Sequence, residues 1–240
     1  MKGGCIRMKP YQGMLAWISY LLLQVVLYSF TGPYYTVIAG IIALIVLPFL
    51  LHKKQMLHLS SRDLKGSQLF FCCGIGLGLG LIFKISIVAS VLSGAPISEA
   101  SISNDFLWMA TTMVLLPVVE ELLFRGILFG SFSRSFSYRK AIVLSTVPFL
   151  IGHHMISWPL VLGIGILLAW IYWRTDNLAV AMVIHCVTNF FSLLSEPLYA
   201  LLAANRTLGI MAGLLMVLLG IPITCLSIKM FLQKHDALPA

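Results

Sequence analysis

Seven polar side chains stand where an apolar chain should not hold them. Glu120, Glu121 and Arg125 fall in one long apolar run, His153 and His154 in a second, and His185 and Asn189 in a third. An ionisable group inside a membrane span costs about 2.5–3.5 kcal/mol on insertion scales, so each of these needs a partner or a task. A carboxylate beside an imidazole can activate water: the carboxylate takes the proton, and burial raises its basicity. A His and an Asn one helical turn apart can both donate hydrogen bonds to a developing oxyanion. Together these groups describe a hydrolase with no covalent nucleophile. No GxSxG elbow is present, and nothing makes Ser145 or Thr188 a nucleophile. HExxH is absent too, although two His and a Glu leave a metal site open as an alternative.

Helical spacing sorts the seven. Glu121 and Arg125 are i, i+4 and can pair on one face. Glu120 is turned by about 100° from Glu121 and is free to face elsewhere. His185 and Asn189 share a face, as do Phe149 and His153. Measured along ideal helices from the inner end of each run, Glu120 lies about 15 Å deep, His153 about 18 Å, and His185 and Asn189 about 12 and 18 Å. One slab of the bilayer thus holds a carboxylate, two imidazoles and an amide, which predicts a single polar cavity open to the cytoplasm. The plainer readings are that Glu121–Arg125 only locks helices, that His154 satisfies a backbone carbonyl, and that Lys84 snorkels to the outer headgroups.

The elements that must position these groups follow from composition. Of 240 residues, 60% are hydrophobic and only 10% charged, with mean hydropathy +0.98. That excludes a disordered chain, a collagen-like chain and an ordinary soluble enzyme. The reading is an all-α polytopic membrane protein, a bundle of about eight transmembrane helices. The apolar runs are 11–31, 34–51, 68–92, 106–130, 141–156, 158–174, 177–195 and 208–231, the fifth and sixth short enough that one is expected to be tilted or re-entrant. Residues 1–240 read as one transmembrane domain.

The net charge of +8 does not signal nucleic acid, because the basic residues sit in short segments between apolar runs. With the N-terminus inside, 13 of the 16 Lys and Arg fall on inner segments, and only Arg206 on an outer one. This places the protein in the cell membrane, multi-pass, with both termini cytoplasmic. Lys2, Arg7 and Lys9 before the first run resemble a signal peptide, but no clear small-residue cleavage site follows, so the run reads as a retained anchor. Met8 is a second candidate start. The cysteines (Cys5, Cys72, Cys73, Cys186 and Cys225) form no CxxC pair and read as small buried hydrophobes. Gly74/Gly78 and Gly76/Gly80 are overlapping GxxxG patterns that permit close helix contact.

Three motifs now carry a resemblance. Glu120-Glu-Leu-Leu-Phe-Arg125 resembles the EExxxR motif of the CAAX protease and bacteriocin-processing (CPBP) family, Phe149-Leu-Ile-Gly-His153 its FxxxH motif, and His185-Cys-Val-Thr-Asn189 its HxxxN motif. Gly165 to Arg174 also looks like the family. The resemblance covers 106–195, which it marks as a catalytic core. It implies a glutamate-dependent intramembrane endopeptidase that needs no metal or other cofactor. Glu120 would be the general base and His153 would orient or activate the water. His185 and Asn189 would stabilise the oxyanion. Glu121, Arg125 and Phe149 would support the site. The extra His154 departs from the pattern, and the Phe149 spacing favours His153. Partners would be a peptide or membrane-protein substrate and the lipid bilayer.

Eukaryotic members of that family cleave prenylated CAAX proteins, and bacterial ones are linked to peptide maturation, bacteriocin immunity and regulation of membrane systems; the short chain looks more like the latter. The main rival reading is a non-catalytic immunity or regulatory membrane protein. A small proton-relay transporter also fits buried ionisable groups, but the chain lacks inverted repeats.

Overall fold

A computed structural model describes residues 8–53, 64, 66–94 and 106–236. Cys5, and Lys2, Arg7, Lys54, Arg62 and Lys65 of the charge argument, lie outside the described residues. Among the described residues every regular element is helical. Helix α1 (Pro10–Thr31) opens with Pro10 in its first turn, where a missing N–H is harmless, and closes at Gly32 with φ 54°. A three-residue turn returns the chain into α2 (Tyr35–Lys53). Next come α3 (Ser67–Ile82) and α4 (Lys84–Leu92), then a composite helix α5 (residues 106–132). The remaining helices are α6 (Tyr138–Phe149), α7 (Trp158–Thr175), α8 (Leu178–Leu193), α9 (Glu196–Ala204) and α10 (Arg206–Asp236).

Each of the eight apolar runs contains a helix, and six stretches among the described residues are long and apolar enough to cross a membrane. The two exceptions carry the chemistry. The fourth run, α5, holds Glu120, Glu121 and Arg125 and alternates α- and π-helical turns. The fifth run departs from the expected full span. Helix α6 ends at Phe149 after 12 residues, about 18 Å, against a bilayer core of about 30 Å. Pro148 withholds a backbone donor, and a 3-10 turn over Leu150–Gly152 then leaves His153 extended at φ −120°, ψ 152°. The depth estimate for His153 on a continuous helix is therefore replaced: the residue sits on an irregular turn.

Large apolar side chains cover the outside of the bundle, among them Phe30, Ile45, Phe49 and Leu218, all more than half exposed. That surface suits lipid, where exposed apolar atoms carry no penalty. Inside, Leu123, Ile127, Leu128 and Leu178 form one core cluster, and Ile75, Leu168, Ile184 and Phe231 another.

Helix α3 is wedged between α8 and α10, and its glycines explain how. A Cβ on Gly76 would lie 2.8 Å from the Ile184 carbonyl oxygen of α8, and one on Gly78 would lie 2.7 Å from the Gly220 carbonyl oxygen of α10. The two GxxxG patterns thus serve two neighbours. Of the cysteines, Cys72 is buried but Cys225 is exposed, so the small-hydrophobe reading fails at Cys225, which faces outward from α10.

Lys84 also departs from expectation. Only 2% exposed, it does not snorkel; its Nζ donates to the carbonyls of Phe191 (2.8 Å), Ser192 (2.9 Å) and Leu194 (3.1 Å) and to Ser195 Oγ (2.7 Å). The end of α8 presents orphaned carbonyls and a partial negative charge nearer than any headgroup. At its other end, α8 is started by Asn177, whose Oδ1 accepts from the Ala179 N–H at 3.2 Å. Both ends of the helix that carries His185 and Asn189 are therefore pinned.

Candidate active site

The site is built from α5, the α6–α7 turn and α8. Two neighbouring carboxylates on α5 point different ways, as a 100° rotation requires. The Glu121 side chain is fully buried and that of Glu120 keeps 23% exposure. Glu121 Oε1 accepts from Arg125 at 2.7 Å and faces His185 Nδ1 at 2.7 Å. A carboxylate paired with arginine is acceptor-only, so Nδ1 carries the hydrogen; this tautomer is assigned from the network. The ring is thereby turned so that Nε2 lies 3.6 Å from Glu120 Oε2. Glu121 Oε2 is buried without a hydrogen-bond partner.

Arg125 is 1% exposed and held on three sides. Besides Glu121, it donates to the Gly165 carbonyl at 3.2 Å, and its guanidinium lies 4.8 Å from the Phe149 ring centroid. Glycine is required at 165, because a Cβ there would sit 2.5 Å from Thr146 Cγ2 and 3.3 Å from Phe149 Cδ1. Phe149 is the hub of the aromatic contacts, at 5.0 Å from Phe124, 4.7 Å from His153 and 5.9 Å from His185. His153 Nδ1 lies 3.0 Å from the Phe149 carbonyl, an acceptor, so Nδ1 donates and Nε2 keeps its lone pair. Trp158 Nε1 donates to the His153 carbonyl at 2.9 Å and fixes the irregular turn. His154 is exposed, whereas His153 is half-buried against Phe149.

Asn189 has a partner that the spacing of motifs does not reveal. Its Nδ2 donates to the Thr112 carbonyl at 3.0 Å. Residues 111–115 form a π-helical turn in which the Leu116 N–H bonds back five residues to Thr111. The next donor in that pattern would be residue 117, which is Pro117 and has no N–H. Thr112 is left with a free carbonyl, and Asn189 supplies the donor from α8. The readable signal was a proline five positions after Thr112.

The structure thus brings Glu120, Glu121, Arg125, Phe149, His153 and His185 into one connected cluster. Asn189 sits one turn further along α8, bonded to α5. The Glu120–His185 contact of 3.6 Å is longer than a direct hydrogen bond and within reach through one water. Among the described residues no group of three or more His, Cys, Asp or Glu is arranged to hold a metal ion.

The helical bundle and its cluster of Glu, Arg and His find a likeness among known proteins. Residues 102–191 match the family described as type II CAAX prenyl endopeptidase Rce1-like. The chain is also similar to the UPF0177 protein YxdF of Lactococcus lactis subsp. lactis (strain IL1403). The two are 29% identical over 114 residues, which is 46% of this chain and 63% of that relative's length. No solved structure matches.

Proposed function

We propose that this protein is an intramembrane endopeptidase that hydrolyses a peptide bond of a membrane-associated protein or peptide. The observation that carries the reading is the pair of unlike carboxylates: Glu120 partly exposed with His185 Nε2 at 3.6 Å, and Glu121 buried behind that ring with Arg125. Glu120 takes a proton from water as the oxygen attacks the scissile carbonyl. His153, with Nε2 as an acceptor, orients that water. The proton on Glu120 then passes to the leaving amine as the C–N bond breaks. His185 is held by Glu121, which Arg125 holds in turn. Asn189 keeps the oxyanion role of the family resemblance through the amide hydrogen that Thr112 does not take, and His185, its Nδ1 hydrogen turned to Glu121, positions the ring beside Glu120. The reading uses no metal. Residues 1–240 act as one domain, with 106–195 as its core. The Lys and Arg distribution supports a cell-membrane protein with both termini cytoplasmic.

A second reading, a non-catalytic immunity or regulatory protein, is favoured by one observation. His185 and Asn189 already have partners in Glu121 and Thr112, as a purely structural network would. The deciding assay is cleavage of a prenylated peptide by purified protein in liposomes. Cleavage that is lost in Glu120→Gln and survives a chelator supports the glutamate mechanism. Loss on chelation, restored by zinc, replaces it with a metal site at Glu120, His153 and His185. Full biological function in Glu120→Gln supports the regulatory reading.

A further inference from the structure

Helix α8 carries His185 and Asn189, so the way α8 is set against its neighbours decides where both side chains point. Gly76, Gly80 and Lys84 are four residues apart, and Phe83, between α3 and α4, keeps helical dihedrals (φ −58°, ψ −21°). The three therefore share one face. That face follows α8 turn by turn. A Cβ on Gly76 would lie 2.6 Å from Val187 Cβ and 2.8 Å from the Ile184 carbonyl oxygen. One on Gly80 would lie 2.5 Å from Phe191 Cβ and 3.0 Å from the Thr188 carbonyl oxygen. The next step is Lys84, which bonds the carbonyls of Phe191 and Ser192. Turned by about 100° from Ile184 and Thr188, His185 and Asn189 look instead to Glu121 and Thr112 of α5. The glycines set how close α8 comes, but they make no bond that stops it turning.

The hold is at the end of the helix. The Ser195 N–H turns back to the Leu193 carbonyl at 2.7 Å, so it does not serve Phe191, its partner in a continued helix. Lys84 Nζ supplies that donor and more. Three carbonyls and the Ser195 hydroxyl oxygen surround it at 2.7–3.1 Å, and Ser195 Oγ itself donates to the Ser192 carbonyl at 2.6 Å. An ammonium has three N–H groups for these four acceptors, so one is shared. All four acceptors are neutral, and together they form a cage for a compact monovalent cation. At 2% exposure the charge is out of water, and burying it within a membrane bundle is costly. A helix end that only needed its carbonyls bonded could take hydroxyls or water. The expense calls for a task.

We propose that the end of α8 is a cation site whose occupant, the Lys84 ammonium, sets the helix for catalysis: Lys84 is a positioning residue for His185 and Asn189. The catalytic part rests on the endopeptidase reading above. At a helix radius of about 5–6 Å, turning α8 by about 10° displaces a side chain by about 1 Å. A misplacement of that size, caused far from the chemistry, costs about 10²-fold in rate.

The test is Lys84→Ala in liposomes, assayed on a prenylated peptide with ammonium chloride or tetramethylammonium chloride at equal ionic strength. Ammonium is the size of the missing group, and ammonia can cross an apolar bundle before taking up its proton. Tetramethylammonium is too large for the cage and donates no hydrogen bond. In the variant kcat should fall by about 10²-fold with KM near the wild-type value. Ammonium should restore kcat saturably in the variant and leave the wild type unchanged, and tetramethylammonium should restore nothing. Ammonium alone should also raise the thermal midpoint of Lys84→Ala. That readout needs no turnover, so it tests the cage apart from the endopeptidase reading. If Lys84→Ala does not accumulate as folded protein, Lys84→Gln replaces it. Its amide keeps two N–H donors without the charge, and kcat should again fall with KM unchanged. Wild-type kcat in a folded Lys84 variant overturns the positioning role. A thermal midpoint and a kcat of Lys84→Ala that ammonium does not move overturn the cation site. A wild-type protein that does not cleave the peptide overturns the endopeptidase reading and the positioning role with it, and leaves the cation site to be judged by the thermal shift.

Discussion

Glu120 and Glu121 are adjacent in sequence and opposite in environment. Glu121 is enclosed with Arg125 and His185 behind the Phe149 ring, whereas Glu120 keeps an open edge and meets the network at His185 Nε2. The same chemical group is enclosed against an arginine in one place and left reachable in the other. The helix itself makes the division, because adjacent positions cannot share a face. A buried ion pair is a poor source of net stability, since desolvation offsets the attraction. Its value here is orientation: Glu121 decides which nitrogen of His185 faces Glu120.

Replacing each carboxylate's function separately should give opposite signatures, and that is the sharpest way to break the comparison. Glu120→Gln keeps size and most hydrogen bonding but cannot accept a proton. Peptide cleavage should fall by about 10²–10⁴-fold. Expression and thermal midpoint should match the wild type, because the side chain is not part of the enclosed pair. A destabilised Glu120→Gln protein would erase the division between the two regions.

On the enclosed side, Arg125→Ala leaves Glu121 as an unpaired buried charge. Breaking such a pair by removing one partner costs about 3–5 kcal/mol. The protein should fall in abundance and in thermal midpoint, with activity lost as a consequence. Normal stability in this variant would show that the pair does not hold the site.

Asn189 lies between the two behaviours and can be used to sharpen them. Asn189→Ala strips the donor from the Thr112 carbonyl beside Pro117. The carbonyl is part-buried, so losing its partner costs at most the roughly 1–3 kcal/mol of a fully buried one. The thermal midpoint should drop, but by less than in Arg125→Ala. A further loss of about 10²–10³-fold in kcat, measured on the folded fraction, is expected if Asn189 also donates to the oxyanion. Unchanged stability with lost turnover would make it a catalytic donor only.

How much of this was legible depends on what kind of signal each residue leaves. Glu121–Arg125 was readable because i, i+4 spacing is a property of one helix, and the eight apolar runs were readable because lipid demands their length. The GxxxG patterns announced a close approach, though not that alternate glycines would face two different helices. Lys84 was misread because its true partners, the carbonyls at the end of α8, are 107 to 110 residues away. His153 was placed on a helix that Pro148 and Gly152 in fact end. Local periodicity shows which side chains share a face; it does not show which face another helix will cover.

The smallest expected effect falls on the neighbouring pair His153 and His154, and it tests the comparison at its edge. The two residues follow the end of α6, but only His153 packs against Phe149 and bonds its carbonyl. His154 is exposed. A substitution away from packed or hydrogen-bonded features changes stability by about 0.5 kcal/mol or less. His154→Ala should therefore leave both the thermal midpoint and cleavage unchanged. His153→Ala should reduce cleavage, because it removes the water-orienting Nε2. It should also loosen the turn, because Nδ1 no longer anchors to Phe149. Proteolysis of the 150–157 segment separates these two losses: faster nicking reports the turn, and turnover on intact protein reports the chemistry. If His154→Ala abolished cleavage while His153→Ala did not, the FxxxH register would be off by one residue, and the Phe149 contact would be packing without a role in orienting water.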